Sequence, residues 1–284
     1  MNILYLCDEY PPGKHGGIGT AVQLLAREMV KMGHNVVVAG FYNWGYGGED
    51  KFADSGVIVY RFRRQLASSF FVKNDSMLVR AVLKMFNLTG ILQWDIKKSL
   101  NKYGEFLEEI IEKHKIDIVE MPDFSEYMSF CNSYVPFPRL TVPVIVKMHG
   151  GITYIEKENK RDVPAHIWQM EHDMLEHADF VTSVSKYNAA KTCQYLKYLK
   201  PVKVLYNGIE IIAPSSFSDK VKNRVIFTGA LSENKGIYQL MKAWNEVNRR
   251  VPDAQLYVVG KGPIEKVRQI LNNSTANSVI FKGH

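Results

Sequence analysis

The sequence is poor in cysteine and has no long apolar run. Its three cysteines, Cys7, Cys131 and Cys193, lie far apart and form no CxxC pair. This usage argues against a disulfide framework or a zinc site and favours a reducing, cytoplasmic compartment. No segment has the uninterrupted apolar length of a bilayer-spanning helix. The N-terminus enters a strand-like run directly, without a basic region and a cleavage site, so we expect no signal peptide.

Acidic residues are fewer than basic ones. Asp and Glu number 29 against 36 Lys and Arg, which gives a formal net charge of +7 and a pI of about 9.1. This excess favours an anionic partner, for which nucleic acid, anionic lipid and phosphorylated small molecules all qualify. We expect no nucleic-acid partner, because the sequence lacks an aromatic RNA-binding motif, a zinc site and a helix-turn-helix pattern.

Apolar runs of strand length alternate with segments of helical periodicity almost throughout the chain. Each strand-like run is almost continuously apolar, which predicts an α/β fold with a parallel sheet covered on both faces. The alternation is interrupted by a polar stretch, so we predict a first Rossmann-like domain at 1–207, a linker at 208–223 and a partial second domain at 224–284. The last strand, at 279–281, is expected to be an exposed sheet edge, which suggests a C-terminally incomplete sequence.

The stretch PPGKHGGIGT, residues 11–20, separates the first predicted strand from the first predicted helix. Its glycines let the backbone approach a ligand, and the helix start offers N–H groups to an anion. The glycine spacing fits neither a dinucleotide-binding fingerprint nor a P-loop. Lys14 and His15 add positive charge near the loop. Taken alone, the loop is equally well interpreted as an anion site and as a turn without a ligand.

Three further strand ends carry candidate side chains. His149 and two glycines follow a predicted strand at 142–148, at the edge where open α/β sheets bind ligands. Glu120 and Asp123 end another strand, where a solvated pair of carboxylates is an equally good interpretation. In the second domain Lys235 precedes a helix start, where a lysine would pair with phosphate. A surface lysine without a ligand is the alternative there.

Six segments occur in order along the chain: GGIGTAVQLLAREMVKMGHNVVV, MHGG, EHDMLEHADFVTSVSKYNAA, VLYNGIE, FTGALSENKGIYQLMKAW and VVGKGP. Together they resemble the family 4 (group 1) retaining glycosyltransferases, and the resemblance spans nearly the whole chain. It implies the GT-B architecture of two Rossmann-like domains. It also implies transfer of a sugar from a UDP-, GDP- or ADP-linked donor with retention of configuration, without a metal or another cofactor.

The resemblance assigns roles to single residues. His149 would be the catalytic residue, in contact with the donor sugar. The donor phosphates and sugar would contact Gly16, Gly17, Gly229 and Lys235. A positive charge is needed there because the departing nucleoside diphosphate carries negative charge. The remaining candidates, on the acceptor side or in the cleft, are Lys14, His15, Glu120 and Asp123.

The sequence departs from the family pattern in two places. The family usually pairs its lysine with an arginine in GRL, whereas this chain has Gly229-Ala230-Leu231. The 284 residues also end before the family's glutamate-rich donor motif, so we predict weak or no transferase activity for them alone. The alternative interpretation is a non-catalytic GT-B remnant that binds an acceptor or a partner chain.

Residues 61–84 combine basic and apolar side chains. The basic residues are Arg61, Arg63, Arg64, Lys73, Arg80 and Lys84, against the single acidic Asp75. Such segments can lie on anionic membranes, and the alternative is a loop and helix packed on the domain. We therefore expect a cytoplasmic protein and favour packing of this segment on the domain over the alternative, peripheral contact at the inner face of a membrane. The acceptor would be a glycan or lipid-linked molecule of cell-envelope or polysaccharide biosynthesis.

Overall fold

The computed structural model describes residues 1–13, 15–42, 48–64, 85–86, 89–211 and 220–283. The chain divides into two compact units, Met1–Glu210 and Ile211–His284. Both are α/β, as the alternating pattern predicts. No helix in the described ranges is long and apolar enough to cross a membrane.

The first unit is built on one sheet. Its strands are β1 Asn2–Leu6, β2 Asn35–Tyr42, β3 Lys51–Asp54, β4 Val57–Arg63, β5 Ile118–Pro122, β6 Val144–Met148, β7 Phe180–Ser183 and β8 Lys203–Val204. They lie in the order β3-β4-β2-β1-β5-β6-β7-β8, and every pair is parallel except β3–β4. The sequence did not predict β3, because it is a short edge strand without an apolar run.

Helices cover this sheet. They are α1 Gly17–Lys31, α2 Ile91–His114, α3 Ile152–Glu158, α4 Ala165–Glu176 and α5 Lys186–Leu196. Alternate residues of one strand enter different cores: Leu4 and Leu6 pack with residues of α2 and α4, while Ile3 and Tyr5 pack with residues of α1. Both sheet faces are therefore buried, which explains why the strands read as continuous apolar runs.

The strand order changes direction between β1 and β5. From β1 the chain continues to β2 on one side, whereas β5, β6 and β7 follow one another on the other side. Ligands of open α/β sheets bind outside the carboxyl ends of the strands at such a reversal. The topology therefore places the predicted site at the ends of β1, β5 and β6.

The second unit has a smaller sheet. Its strands are β9 Arg224–Thr228, β10 Gln255–Val259 and β11 Val279–Gly283, all parallel in the order β11-β10-β9, with α6 Ile237–Arg250 and α7 Ile264–Arg268. The last strand lies at an edge, as predicted. The other edge strand, β9, is more exposed to solvent than β11, and its Ile226 is 65% exposed.

The structure corrects the interpretation of the basic segment at its first residues. Arg61 is only 3% exposed and donates hydrogen bonds to the carbonyls of Tyr10 and Pro12, and Arg64 is 1% exposed and pairs with Asp95. Neither can face a membrane, because each is held inside the domain. Arg63 pairs with an aspartate at the surface. Lys73, Asp75, Arg80 and Lys84 lie outside the described residues.

Candidate functional site

The carboxyl end of β1 is joined to its neighbours by a half-buried aspartate. Asp8 accepts hydrogen bonds from the backbone N–H of Phe41 at 2.8 Å and the hydroxyl of Ser125 at 2.6 Å. Burial raises the pKa of Asp8 to about 6, although these donors favour the charged carboxylate. Asp8 thus ties the ends of β1 and β2 to the segment after β5.

The glycine-rich loop gives two of its amides to a protein carboxylate. The backbone N–H groups of Gly16 and Gly19 donate to Glu9 at 3.0 and 2.8 Å. A negative charge at the first turn of a helix is favourable, so Glu9 occupies the position that the sequence assigned to an anionic ligand. Gly17 is the glycine of this loop with free space beside it, because no described atom lies within 4 Å of a Cβ placed there.

The two basic candidates of this loop are Lys14 and His15. Lys14 lies outside the described residues. His15 is exposed, and its Nδ1 lies 2.7 Å from the carbonyl oxygen of Gly13. His15 is therefore held by its own loop.

His149 follows β6 directly, and Asp123 holds the backbone around it. The Asp123 carboxylate accepts the N–H groups of His149, Gly150 and Gly151 at 2.8, 3.2 and 3.0 Å. Asp123 is 3% exposed, and burial raises its pKa to about 6. The interpretation of Asp123 as a solvated carboxylate is therefore wrong. Its role toward the loop is to fix the backbone that carries His149.

Glu120 lies inside β5 rather than at its end. It is paired in register with Tyr5 of β1 and Ile145 of β6. Burial raises its pKa, and the charge of Lys147 partly opposes this effect. The sequence placed Glu120 beside Asp123 at the strand end, and the structure corrects this, since β5 continues to Pro122.

The imidazole of His149 is kept neutral by its surroundings. Burial lowers its pKa to about 4, and the positive charge of Lys147 contributes in the same direction. Lys147 is itself buried in β6. At neutral pH His149 can therefore donate one hydrogen bond and accept another, as a contact to sugar hydroxyls requires.

This environment predicts a pH-dependent contribution of His149 to stability. Its pKa in the folded protein lies below the ordinary value of 6.5, so protonation favours the unfolded chain. The contribution of neutral His149 to the free energy of unfolding is fully present above about pH 6.5. It is lost as the pH falls towards 4, and the total loss is about 3 kcal/mol. The measurement compares the free energy of unfolding of His149→Gln and of the wild type between pH 7 and 4. The exposed His15→Gln serves as control, and an equal pH dependence in wild type and His149→Gln would contradict the prediction.

The second unit brings Gly229 and Lys235 together. Gly229 follows β9 with φ +149°, and a Cβ placed on it would lie 4.0 Å from Cγ of Lys235. Lys235 ends the single turn that precedes α6 and is exposed. Among the described residues it forms no ion pair. Its ammonium group is therefore available to an anion at this strand end.

The structure contains a further cavity away from these residues. It measures about 1020 Å³ and is lined by the start of β6 at Val144 and by Asp179, which precedes β7. It therefore lies at the amino-terminal edge of the sheet, opposite His149. Part of its polar lining is paired within the protein: Tyr134 with Asp173 and Arg139 with His177. No group of three His, Cys, Asp or Glu in the described ranges is arranged to hold a metal ion.

Comparison with known proteins decides the family. The family described as Glycosyltransferase Family 4 matches residues 15–211, and the one described as Glycosyl transferases group 1 matches residues 222–284. This chain belongs to glycosyltransferase family 4. An uncharacterized glycosyltransferase of Methanocaldococcus jannaschii, MJ1607, is 25% identical over an alignment that covers 100% of this chain and 69% of the relative.

Solved structures share the fold of this glycosyltransferase. Sucrose-phosphate synthase from Thermosynechococcus elongatus superposes with a TM-score of 0.66 at 15% identity, covering 100% of this chain and 70% of that one. TarM of S. aureus, solved with UDP, gives 0.66 at 10% identity, covering 100% and 77%. Starch Synthase IV from Arabidopsis thaliana, bound to ADP and acarbose, gives 0.55 at 12% identity, covering 98% and 73%. The glycosyltransferase has the GT-B type of fold, with two Rossmann-like parallel-sheet units.

Sequence reasoning missed three carboxylates of this site. Asp8 and Glu9 lie just past β1, separated from it only by Cys7, and Glu171 lies in α4, where its carboxylate reaches the loop after His149. The acidic pair after the strand was a usable signal, because that edge binds ligands. The signal for Glu171 was weaker: it is a polar residue among the apolar residues that form the buried face of a helix.

Proposed function

We propose that this glycosyltransferase moves a sugar from a nucleotide-sugar donor to a glycan or lipid-linked acceptor with retention of configuration, in polysaccharide or cell-envelope biosynthesis. The observation that carries the proposal is the neutral His149 held at the strand edge by Asp123. Structures with this fold that were solved with UDP or ADP support a nucleotide-linked donor.

The chemistry follows from what each unit offers. In the first unit, His149 would hydrogen-bond the donor sugar near the carbon that reacts, and the open space at Gly17 would admit a ligand close to the backbone. In the second unit, Lys235 would stabilise the negative charge on the departing diphosphate. Because Gly16 already donates to Glu9, its amide would serve the ligand less directly than the sequence suggested.

A nucleotide screen tests the proposal. UDP, GDP, ADP and their sugars are added separately to the full-length protein, and we expect the nucleotides of one base to raise its melting temperature. Lys235→Ala should weaken that binding about 10- to 100-fold, because a charge-assisted contact contributes about 1.5–3 kcal/mol. Lys242→Ala, an exposed lysine on α6, is the matched control and should keep the shift. Absence of any nucleotide effect, or a full shift in Lys235→Ala, would contradict the proposal.

Peripheral membrane contact through residues 61–84 stays a prediction. Arg61 and Arg64 take no part in it, because both are buried. Any such contact would rest on the later basic residues of the segment. A cytoplasmic location stays a prediction on the cysteine usage alone.

A further inference from the structure

The backbone after β6 is held by two buried carboxylates from different elements. Five consecutive N–H groups, from His149 to Thr153, donate to them: the first three to Asp123 and the next two to Glu171. Ile152 and Thr153 reach Glu171 at 2.5 and 2.9 Å. Each of these amides therefore has a buried carboxyl oxygen as its acceptor, and together the two carboxyl groups hold the loop.

We infer that Glu171 is a positioning residue of the glycosyl-transfer site, which fixes the His149-Gly150-Gly151 loop from the side of α4. The inference rests on the proposed role of His149 toward the donor sugar. Glu171 itself would touch neither donor nor acceptor, since it is 2% exposed.

Gly151 shows how closely the carboxylate and the loop are fitted. Its φ is −67°, which any residue adopts, so backbone conformation does not require glycine there. A Cβ at this position would instead overlap Oε1 of Glu171 and lie 3.2 Å from the carbonyl oxygen of Asp123. With Glu171 in this position, a side chain at residue 151 would displace its carboxylate from the amides of Ile152 and Thr153.

A packing role alone does not explain a glutamate at this position. The other buried residues of α4 are Ile167, Met170, Met174 and Leu175, so an apolar side chain would fit the stripe. Burial and the nearby charge of Asp123 raise the pKa of Glu171, to about 7, while the donors from α3 favour its charged form. A carboxylate offers acceptors to both amides of α3, whereas a glutamine offers one oxygen and turns an N–H₂ group towards the second N–H.

The test is amide hydrogen exchange on Glu171→Gln, with no ligand present. We expect the amides of Ile152 and Thr153 to exchange at least tenfold faster, with the exchange of the sheet amides unchanged. The ring signals of His149 in a histidine-labelled sample should shift or broaden. Glu176→Gln, on the same helix in a surface pair with Lys200, is the matched control and should change neither. Glu171→Asp, which keeps the charge, should restore part of the protection.

Two outcomes would overturn the inference. One is unchanged exchange and an unchanged His149 signal in folded Glu171→Gln. The other is a uniform increase of exchange over the whole first unit, which would identify Glu171 as a general stability residue. Because neither readout needs a donor, failure of the nucleotide screen with a positive exchange result would reject the proposed function and keep the role of Glu171.

Discussion

Gly19→Ala is expected to destabilise the first unit by about 1–3 kcal/mol, the usual range for an overpacked interior. A Cβ at Gly19 would overlap the backbone carbonyl oxygen of Glu9 and lie 3.0 Å from its carbon. Backbone cannot rotate away as a side chain can, so either α1 or the turn after β1 must move. The better helix propensity of alanine, about 1 kcal/mol, does not offset this overlap. Urea unfolding measures the change.

Gly17→Ala is the matched control for that prediction. Gly17 begins α1 two residues earlier and has open space where its Cβ would lie. Its stability should stay within about 1 kcal/mol of the wild type. If the donor or acceptor approaches this backbone, as proposed, Gly17→Ala should still lower nucleotide-sugar affinity, by about tenfold or 1.4 kcal/mol. Equal stability of the two variants would show that the overlap at Gly19 is relieved at no cost.

Asp123→Ala is expected to have the second large effect, a loss of about 3–5 kcal/mol in the free energy of unfolding. It leaves three neighbouring amides, of His149, Gly150 and Gly151, without their acceptor, and each buried unsatisfied group costs about 1–3 kcal/mol. The sum is reduced because water can enter the space that the side chain leaves. Asp123→Asn, which keeps one acceptor oxygen, should lose about half as much.

The same variants should separate binding of the sugar from binding of the nucleotide. A loosened loop misplaces His149, so Asp123→Asn should lose most of the affinity difference between a nucleotide sugar and the free nucleotide. Affinity for the free nucleotide should remain, because the proposal assigns its diphosphate to Lys235 of the second unit. Asp50→Ala, which breaks a surface pair with Arg63, is the control and should cost less than about 1 kcal/mol. A wild-type affinity ratio in Asp123→Asn would contradict the proposed role of His149.

Much of the fold was predictable because its signals are local. Strands buried on both faces need apolar residues at every position, and helices need an apolar residue every three to four positions. The α/β alternation can therefore be recognised from short segments of sequence. The strand predicted at 142–148 is observed as β6, Val144–Met148. The edge strand β3 was missed because its alternation of apolar and polar residues over four positions is too short to recognise.

The site was predictable where chemistry and strand ends coincide. The sequence by itself determined that His149 and Asp123 follow parallel strands, and that glycines and Lys235 stand at comparable ends. Only the tertiary structure decided what each group does there. In the structure Asp123 is buried and accepts hydrogen bonds from three amides, and Arg61 and Arg64 are buried inside the domain. The fold also brings Glu9 to the amides of the glycine-rich loop and Glu171 to the loop after His149. Each of these carboxylates and the amides that it binds come from different parts of the chain. Packing of the elements decides which groups a buried carboxylate meets, so a local pattern of residues cannot predict the pairing.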